Sequence, residues 1–386
     1  MRPWSVQALP HHLAREYREQ FPIRDRLVFL NHAGVAPLPA PTYEAVVRTA
    51  AEQRDRGHTL AARWEQRTHA TRRRAAELLG ARAAQVAFIK NTTSGLIIAA
   101  ESIPWREGEN VVTSAIEFPA NVYPWLHLAR RGVETRMVEP TDGRIGIDDI
   151  AHAMDDGTRA VAISWVQYSN GYRSDLGALA ELCRSYGAFL VVDAIQGLGA
   201  IPFAMEASGA DFVAADGHKW LLSTEGCGVL CLSERALERT DAVNVGWLSV
   251  EDAWDFGSYD LRLRPEAARL EEGSLNTLGV HALGASLELL LRVGPAAVWE
   301  AIEALTGVLV EGLSQRGCSI VSPRGAGQTS GIVCFRHPCV PSDAMVRRLA
   351  EAGIVAADRG GAVRLSPHFY NDADDVAAVL DVVAGA

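Results

Sequence analysis

Two of the 37 Lys and Arg residues in this chain are lysines, Lys90 and Lys219. Arginine can fill any ordinary surface role, so a lysine kept here points to chemistry that arginine cannot perform. Lys219 stands in "DFVAADGHKW", just past an apolar run, and Asp193 ends another, "AFLVVDAIQG", 26 residues earlier. That is close to the length of one strand–helix–strand unit, which lets both side chains reach one pocket at strand ends. A partly desolvated lysine loses its proton readily and can form a Schiff base with a carbonyl. A carboxylate at the end of a buried strand is costly unless it meets a cation or a strong donor. Taken singly, a loop lysine reads as solvated and a post-strand aspartate as a turn cap. Lys90, at the end of "VAFIK", reads as a second functional residue or an ion-pair partner.

The segment "NTTSGLIIAA", with Thr92, Thr93 and Ser94, opens a helix whose free N–H groups and dipole favour a phosphate; ordinary N-capping explains these hydroxyls equally well by themselves. A phosphate site, an acid and a lysine at strand ends together suggest pyridoxal 5′-phosphate (PLP), whose ring nitrogen needs an acidic partner to remain an electron sink. Competing signatures are missing. "GLGAIP" lacks the third glycine of a dinucleotide loop, and there is no GK[ST], HExxH or GxSxG.

The elements that must position these residues follow from periodicity. "QVAFI", "NVVTSA", "RAVAISWV", "AFLVVDA", "DFVAAD" and "GVLCL" read as buried strands alternating with helices, the pattern of a mostly parallel sheet covered on both faces. Between them "SDLGALAELCRSYG" is a helix with Ser174 placed to cap its start and Gly187 its end. After "RLEEGSLNTLGVHALGASLELLLRVG" the pattern shifts to helices interspersed with "GIVCFR", "AGIVAAD" and "AVRLSPHFYN", a smaller α+β domain. The boundary falls between residues 260 and 280. We place a large α/β domain at 26–265 and a small one at 266–386, joined by the N-terminal segment 1–25.

A composition of 48% apolar and 22% charged residues suits a globular protein with a large core. The net charge of −10 without basic runs argues against nucleic acid or an anionic membrane as partner. No apolar run approaches the roughly 18 residues of a membrane span, and the start carries no apolar signal core, so the expectation is a cytoplasmic protein. Six cysteines without a CxxC pair read as reduced thiols. Cys334, His337 and Cys339 lack a fourth ligand for zinc and read as turn residues, and no metal is expected.

With these motifs in order, the chain resembles the class V aminotransferase family of fold-type I PLP enzymes, especially the branch of cysteine desulfurases, selenocysteine lyases and isopenicillin-N-epimerase-like proteins. The likeness runs from "FLNHAGVAPLP" to "VRLSPHFYND" and is sharpest at "VVDAIQGLGA" and "ADGHKW". It implies a seven-stranded, mostly parallel sheet sandwiched by helices. It also implies Lys219 as the imine-forming lysine and acid/base, Asp193 as the ring-nitrogen partner, and Gln196 and Asn170 beside the ring hydroxyl. Thr93, the Ser94 backbone and His218 are expected at the phosphate, near Thr92 and Asp216. Ser274 corresponds to a residue that reaches the phosphate of the partner subunit, which implies a homodimer with composite sites. Arg364, assisted by Arg359, corresponds to the arginine that grips the substrate carboxylate, and Asn31 and His32 to substrate-pocket residues.

Three departures bear on the reaction. Phe118 stands where desulfurases commonly stack a histidine, and it can stack but cannot shuttle a proton. Asp216 replaces a phosphate-binding serine, and a carboxylate there must turn to another partner. The segment "AADRGGAVRLS" before Arg364 has no cysteine, although desulfurases carry their persulfide-forming thiol there. The resulting expectation is a PLP enzyme acting on the α-amino group of a small amino acid, an aminotransferase first. A desulfurase-type Cβ-lyase and an epimerase are the alternatives. A PLP-binding subunit without turnover is a further reading, against which the retention of both Lys219 and Arg364 argues.

Overall fold

A computed structural model describes residues 11–386, so the first ten residues of the segment assigned to the small domain lie outside the described residues. Seven strands make the large sheet: β1 (Val86–Ile89), β2 (Asn110–Ser114), β3 (Glu134–Val138), β4 (Thr158–Ser164), β5 (Phe189–Asp193), β6 (Phe212–Asp216) and β7 (Gly228–Leu232). Their order is β1-β7-β6-β5-β4-β2-β3, parallel from β3 through β6, with β7 antiparallel to both neighbours. Every residue of β5, β6 and β7 is buried, as expected of strands covered on both faces.

All six apolar runs became strands. The seventh, β3, reads "ETRMV" and escaped the sequence analysis because it lies at the sheet edge, where only Val138 is buried.

Helices cover this sheet, among them α1 (Ala40–Arg56), α2 (Ala61–Leu78), α3 (Thr92–Ser102) and α4 (Leu176–Tyr186). Gly187 ends α4 at φ 70°, but the cap at its start is Asp175, whose side chain accepts the Ala178 N–H at 3.0 Å. Ser174 is one residue too early for that reach and instead donates to the Ser164 carbonyl at 2.9 Å. Helix α5 (Thr277–Val293) packs on α1 and α2, then the chain bends by 78° at Gly294 into α6 (Pro295–Gln315).

A second sheet of β8 (Ser319–Ile320), β9 (Val333–Arg336), β10 (Ala357–Arg359) and β11 (Ala362–Leu365) is antiparallel in the order β10-β11-β9-β8. With α6, α7 (Ser342–Glu351) and α8 (Ala373–Ala384) it encloses its own core around Leu305, Leu309, Phe335, Met345 and Val376. Leu30 belongs to that core, and Val28–Phe29 pairs in parallel with Ile354–Val355. Those contacts bring the loop beginning at Asn31 onto the seam between the two sheets. Residues Tyr17 and Phe21 pack on Phe369 and Tyr370, tying the early chain to the small domain as well.

Candidate active site

β5 delivers Asp193 and β6 delivers Asp216 at the same end of the sheet, because the two strands are parallel neighbours. The loops beyond them carry Gln196 and the His218–Lys219 pair. A cavity of about 290 Å³ opens there. Asp193, Lys219, Thr92, Thr93, Phe118, Gln196, Asp216, His218, Arg359 and Arg364 all line it, so residues spread over most of the chain converge.

The electrostatics differ from those of free side chains. Burial pushes the Asp193 carboxyl up to about 7, opposed by a 3.0 Å hydrogen bond from the Ile195 N–H and aided by the nearby Glu117 carboxyl. Burial pulls Lys219 down to about 8, against the attraction of Asp193 and with the repulsion of Arg364. Its Nζ lies 5.8 Å from the centre of the Phe118 ring, and Phe118 meets Tyr168 edge-on at 5.1 Å.

On β11, Arg364 is 1% exposed and donates through Nη1 to the Tyr168 carbonyl at 2.8 Å and through Nη2 to Asn31 Oδ1 at 3.3 Å. Both acceptors are neutral, and its Nε has no partner among the described residues. Burial and the Arg359 charge lower it to about 10. Its positive charge is therefore held in place but not cancelled, a setting that favours an incoming carboxylate. Arg359, on β10, donates to the Asp358 carbonyl at 2.7 Å.

At the phosphate-like end, Asn91 caps α3 by accepting the Ser94 N–H at 2.8 Å. Thr92 Oγ1 accepts the Asp216 N–H at 3.0 Å. The Asp216 carboxylate turns to its own loop, accepting the Gly217 N–H at 2.7 Å and standing 3.0 Å from His218 Nδ1. The N–H groups of Thr92 and Thr93 lie in the first turn, without intrahelical acceptors.

Five expected residues, His32, Asn170, Ser94, Ser274 and Asn31, do not line this cavity. His32 is fully buried, its ring nitrogens 2.8 Å from the Ser366 carbonyl and 2.7 Å from the Tyr370 hydroxyl, because its loop packs on the small domain. Asn170 ties its own turn to the turn at Gly143, donating to the Gly143 carbonyl at 2.6 Å and accepting the Tyr172 N–H at 3.0 Å. Ser94 and Ser274 line a separate cavity of about 340 Å³. Gln196 reaches the active cavity, but its amide is engaged with the Ala33 carbonyl and the Trp220 indole, both at 3.0 Å. Asn31 holds Arg364 rather than lining the cavity itself. The sequence reading overlooked Tyr168 and Glu117; a glutamate inside the otherwise uncharged "SAIEFPANV" was a signal for the second.

PLP fits this donor set. Asp193 spends one oxygen on a backbone N–H and is a buried acid suited to a ring nitrogen, Phe118 offers an aromatic face, and the start of α3 offers N–H groups to a phosphate.

This combination of fold and site defines a PLP-dependent enzyme. The chain belongs to the class-V aminotransferase family, whose model matches residues 28–379. Among curated relatives, a protein named probable cysteine desulfurase from Methanothermobacter thermautotrophicus is 29% identical over 96% of this chain and 98% of its own. A cysteine desulfurase from Klebsiella pneumoniae is 30% identical over 82% and 81%. The solved cysteine desulfurase from Thermococcus onnurineus, 24% identical, superposes with a TM-score of 0.87 over 98% of both chains. A similar fold, with a TM-score of 0.87 at 22% identity over 95% and 99% of the two chains, belongs to a cystine C–S lyase solved with cysteine persulfide.

Proposed function

We propose that the protein is a PLP-dependent lyase that cleaves the Cβ–S bond of cysteine or of a cysteine disulfide, without holding the sulfur on a thiol of its own. The names of the relatives support the lyase alternative over the aminotransferase reading. The observation that carries the second half is the composition of the cavity: among the described residues no cysteine lines it. Cys334 is buried, donates to the Ser169 carbonyl at 3.3 Å, and is pushed up to about 11 by burial. A thiol kept neutral in this way is a poor nucleophile. Cys339 is exposed, on the turn beyond β9.

Bound PLP supplies the electron sink that acidifies the Cα proton and lets a Cβ substituent leave. Thr92, Thr93 and His218 hold its phosphate, Asp193 its ring nitrogen and Phe118 its face. Arg364, with Arg359 at the rim, binds the substrate carboxylate and so fixes which Cα bond faces Lys219. Lys219 loses its proton near neutral pH and takes up the one from Cα. Phe118 cannot share this work. In the same proposal the site is completed in a homodimer, with Ser274 reaching the partner's phosphate; its place outside the cavity of its own chain supports that role.

Visible absorption of the purified protein with cysteine, cystine and alanine, combined with sulfide and 2-oxo acid assays, tests the reading. Sulfide or persulfide with the yellow form regenerated is expected. Bleaching with a stoichiometric 2-oxo acid and no sulfur release would return the protein to aminotransfer.

A further inference from the structure

Glu117 is 5% exposed, has no cation partner among the described residues and does not line the cavity. Such a burial is costly unless the carboxyl is fully hydrogen-bonded, and here it is. Oε1 accepts the Ser164 N–H at 2.9 Å and the Gln167 side-chain N–H at 2.5 Å. Oε2 accepts Asn121 Nδ2 at 2.9 Å and the Ser164 hydroxyl. Asn121 in turn accepts the Trp125 indole N–H at 3.0 Å.

These donors belong to the turn of Glu117 itself and to the stretch 164–167, and both shape the cavity. Asn121 lies in the turn carrying Phe118, Ser164 ends β4 and pairs in register with Asp193, and Gln167 precedes Tyr168. Tyr168 meets the Phe118 ring and gives its carbonyl to Arg364. We propose that Glu117 is a positioning residue: one buried carboxyl group locks the Phe118 turn, the strand end beside Asp193 and the Tyr168 loop together, and so sets both the cofactor wall and the seat of Arg364. The inference rests on the functional reading of Lys219 and Arg364 given above. Charge adds a second link. Glu117 opposes and Lys219 favours the ionised form of Asp193, so replacing the Glu117 carboxyl removes a repulsion on it.

Glu117→Gln and Gln167→Met, made in the full-length holoenzyme, test this. Glycine supplies a carboxylate without a Cβ leaving group, and its binding is read from the change in visible absorption. Glu117→Gln is expected to raise glycine half-saturation about tenfold, the scale of one charge-assisted hydrogen bond, and to move the acid-side midpoint of PLP binding to lower pH. Gln167→Met removes the link to the Tyr168 loop alone. It is expected to weaken glycine similarly while leaving the midpoint in place, and it carries the test if Glu117→Gln does not fold. A yellow wild type with both variants indistinguishable from it overturns this proposal alone. A wild type that takes up no PLP overturns the functional reading and this inference with it.

Discussion

Gln196 accepts the indole N–H of Trp220 at 3.0 Å, cross-linking the loops that follow β5 and β6 within three residues of Asp193 and one of Lys219. Trp220 is fully buried, so its N–H has no recourse to water. Replacing Gln196 with Leu leaves that donor and the Ala33 carbonyl unsatisfied, and we expect a loss of about 1–3 kcal/mol in urea unfolding. Full stability in this variant would show that the loops are held by packing alone.

Lys219→Ala is expected to abolish covalent cofactor retention. Borohydride reduction followed by peptide mapping should find PLP on Lys219 in the wild type and on no peptide of the variant. A reduced adduct at Lys90 would shift the assignment.

Arg364→Ala should raise KM for amino acids by about 10- to 100-fold, from the loss of charge-assisted hydrogen bonds of about 1.5–3 kcal/mol. Arg364→Lys should recover little, because a single ammonium cannot reach the Tyr168 carbonyl, Asn31 and a carboxylate together. Equal KM values across all three proteins would place the carboxylate elsewhere.

The two perturbed groups act on stability with opposite sign. Asp193 binds its proton more tightly folded than unfolded, so its contribution is fully present below pH 3.8 and is lost as pH rises through about 7. Lys219 binds its proton less tightly folded, so its penalty applies below about 8 and fades towards 10.5. Unfolding of cofactor-free protein across pH should show the first slope vanish in Asp193→Asn and the second in Lys219→Met. Curves parallel to wild type would contradict the burial of these charges.

Cys339→Ser should leave sulfur release unchanged, and alkylation of the folded protein should do the same, since the other cysteines are buried. Loss of turnover in either experiment would restore a persulfide relay through the turn beyond β9.

Much of this was legible in the residues themselves. Strands buried on both faces announce themselves as continuous apolar runs, and a lysine in a chain that otherwise uses arginine marks its own function. Asp193 and Lys219 lie on or directly after such strands, so their convergence follows from the parallel topology, whereas Arg364 comes from the antiparallel second sheet and reaches the cavity through the packing of the two sheets. Local sequence carries no information about which side a loop residue turns. His32 and Asn170 carry the right chemistry for a pocket, yet packing on Ser366 and Tyr370 withdrew one and a tight turn at Gly143 consumed the other. Glu117 became visible as a hub only in the structure, because three of its four donors come from the stretch 164–167, which the tertiary fold brings against the turn of Glu117. The sequence by itself determined the sheet, the cofactor class and the chemical groups available. The tertiary structure decided which of those groups face the cavity, because burial and hydrogen-bond satisfaction are settled by contacts between distant segments.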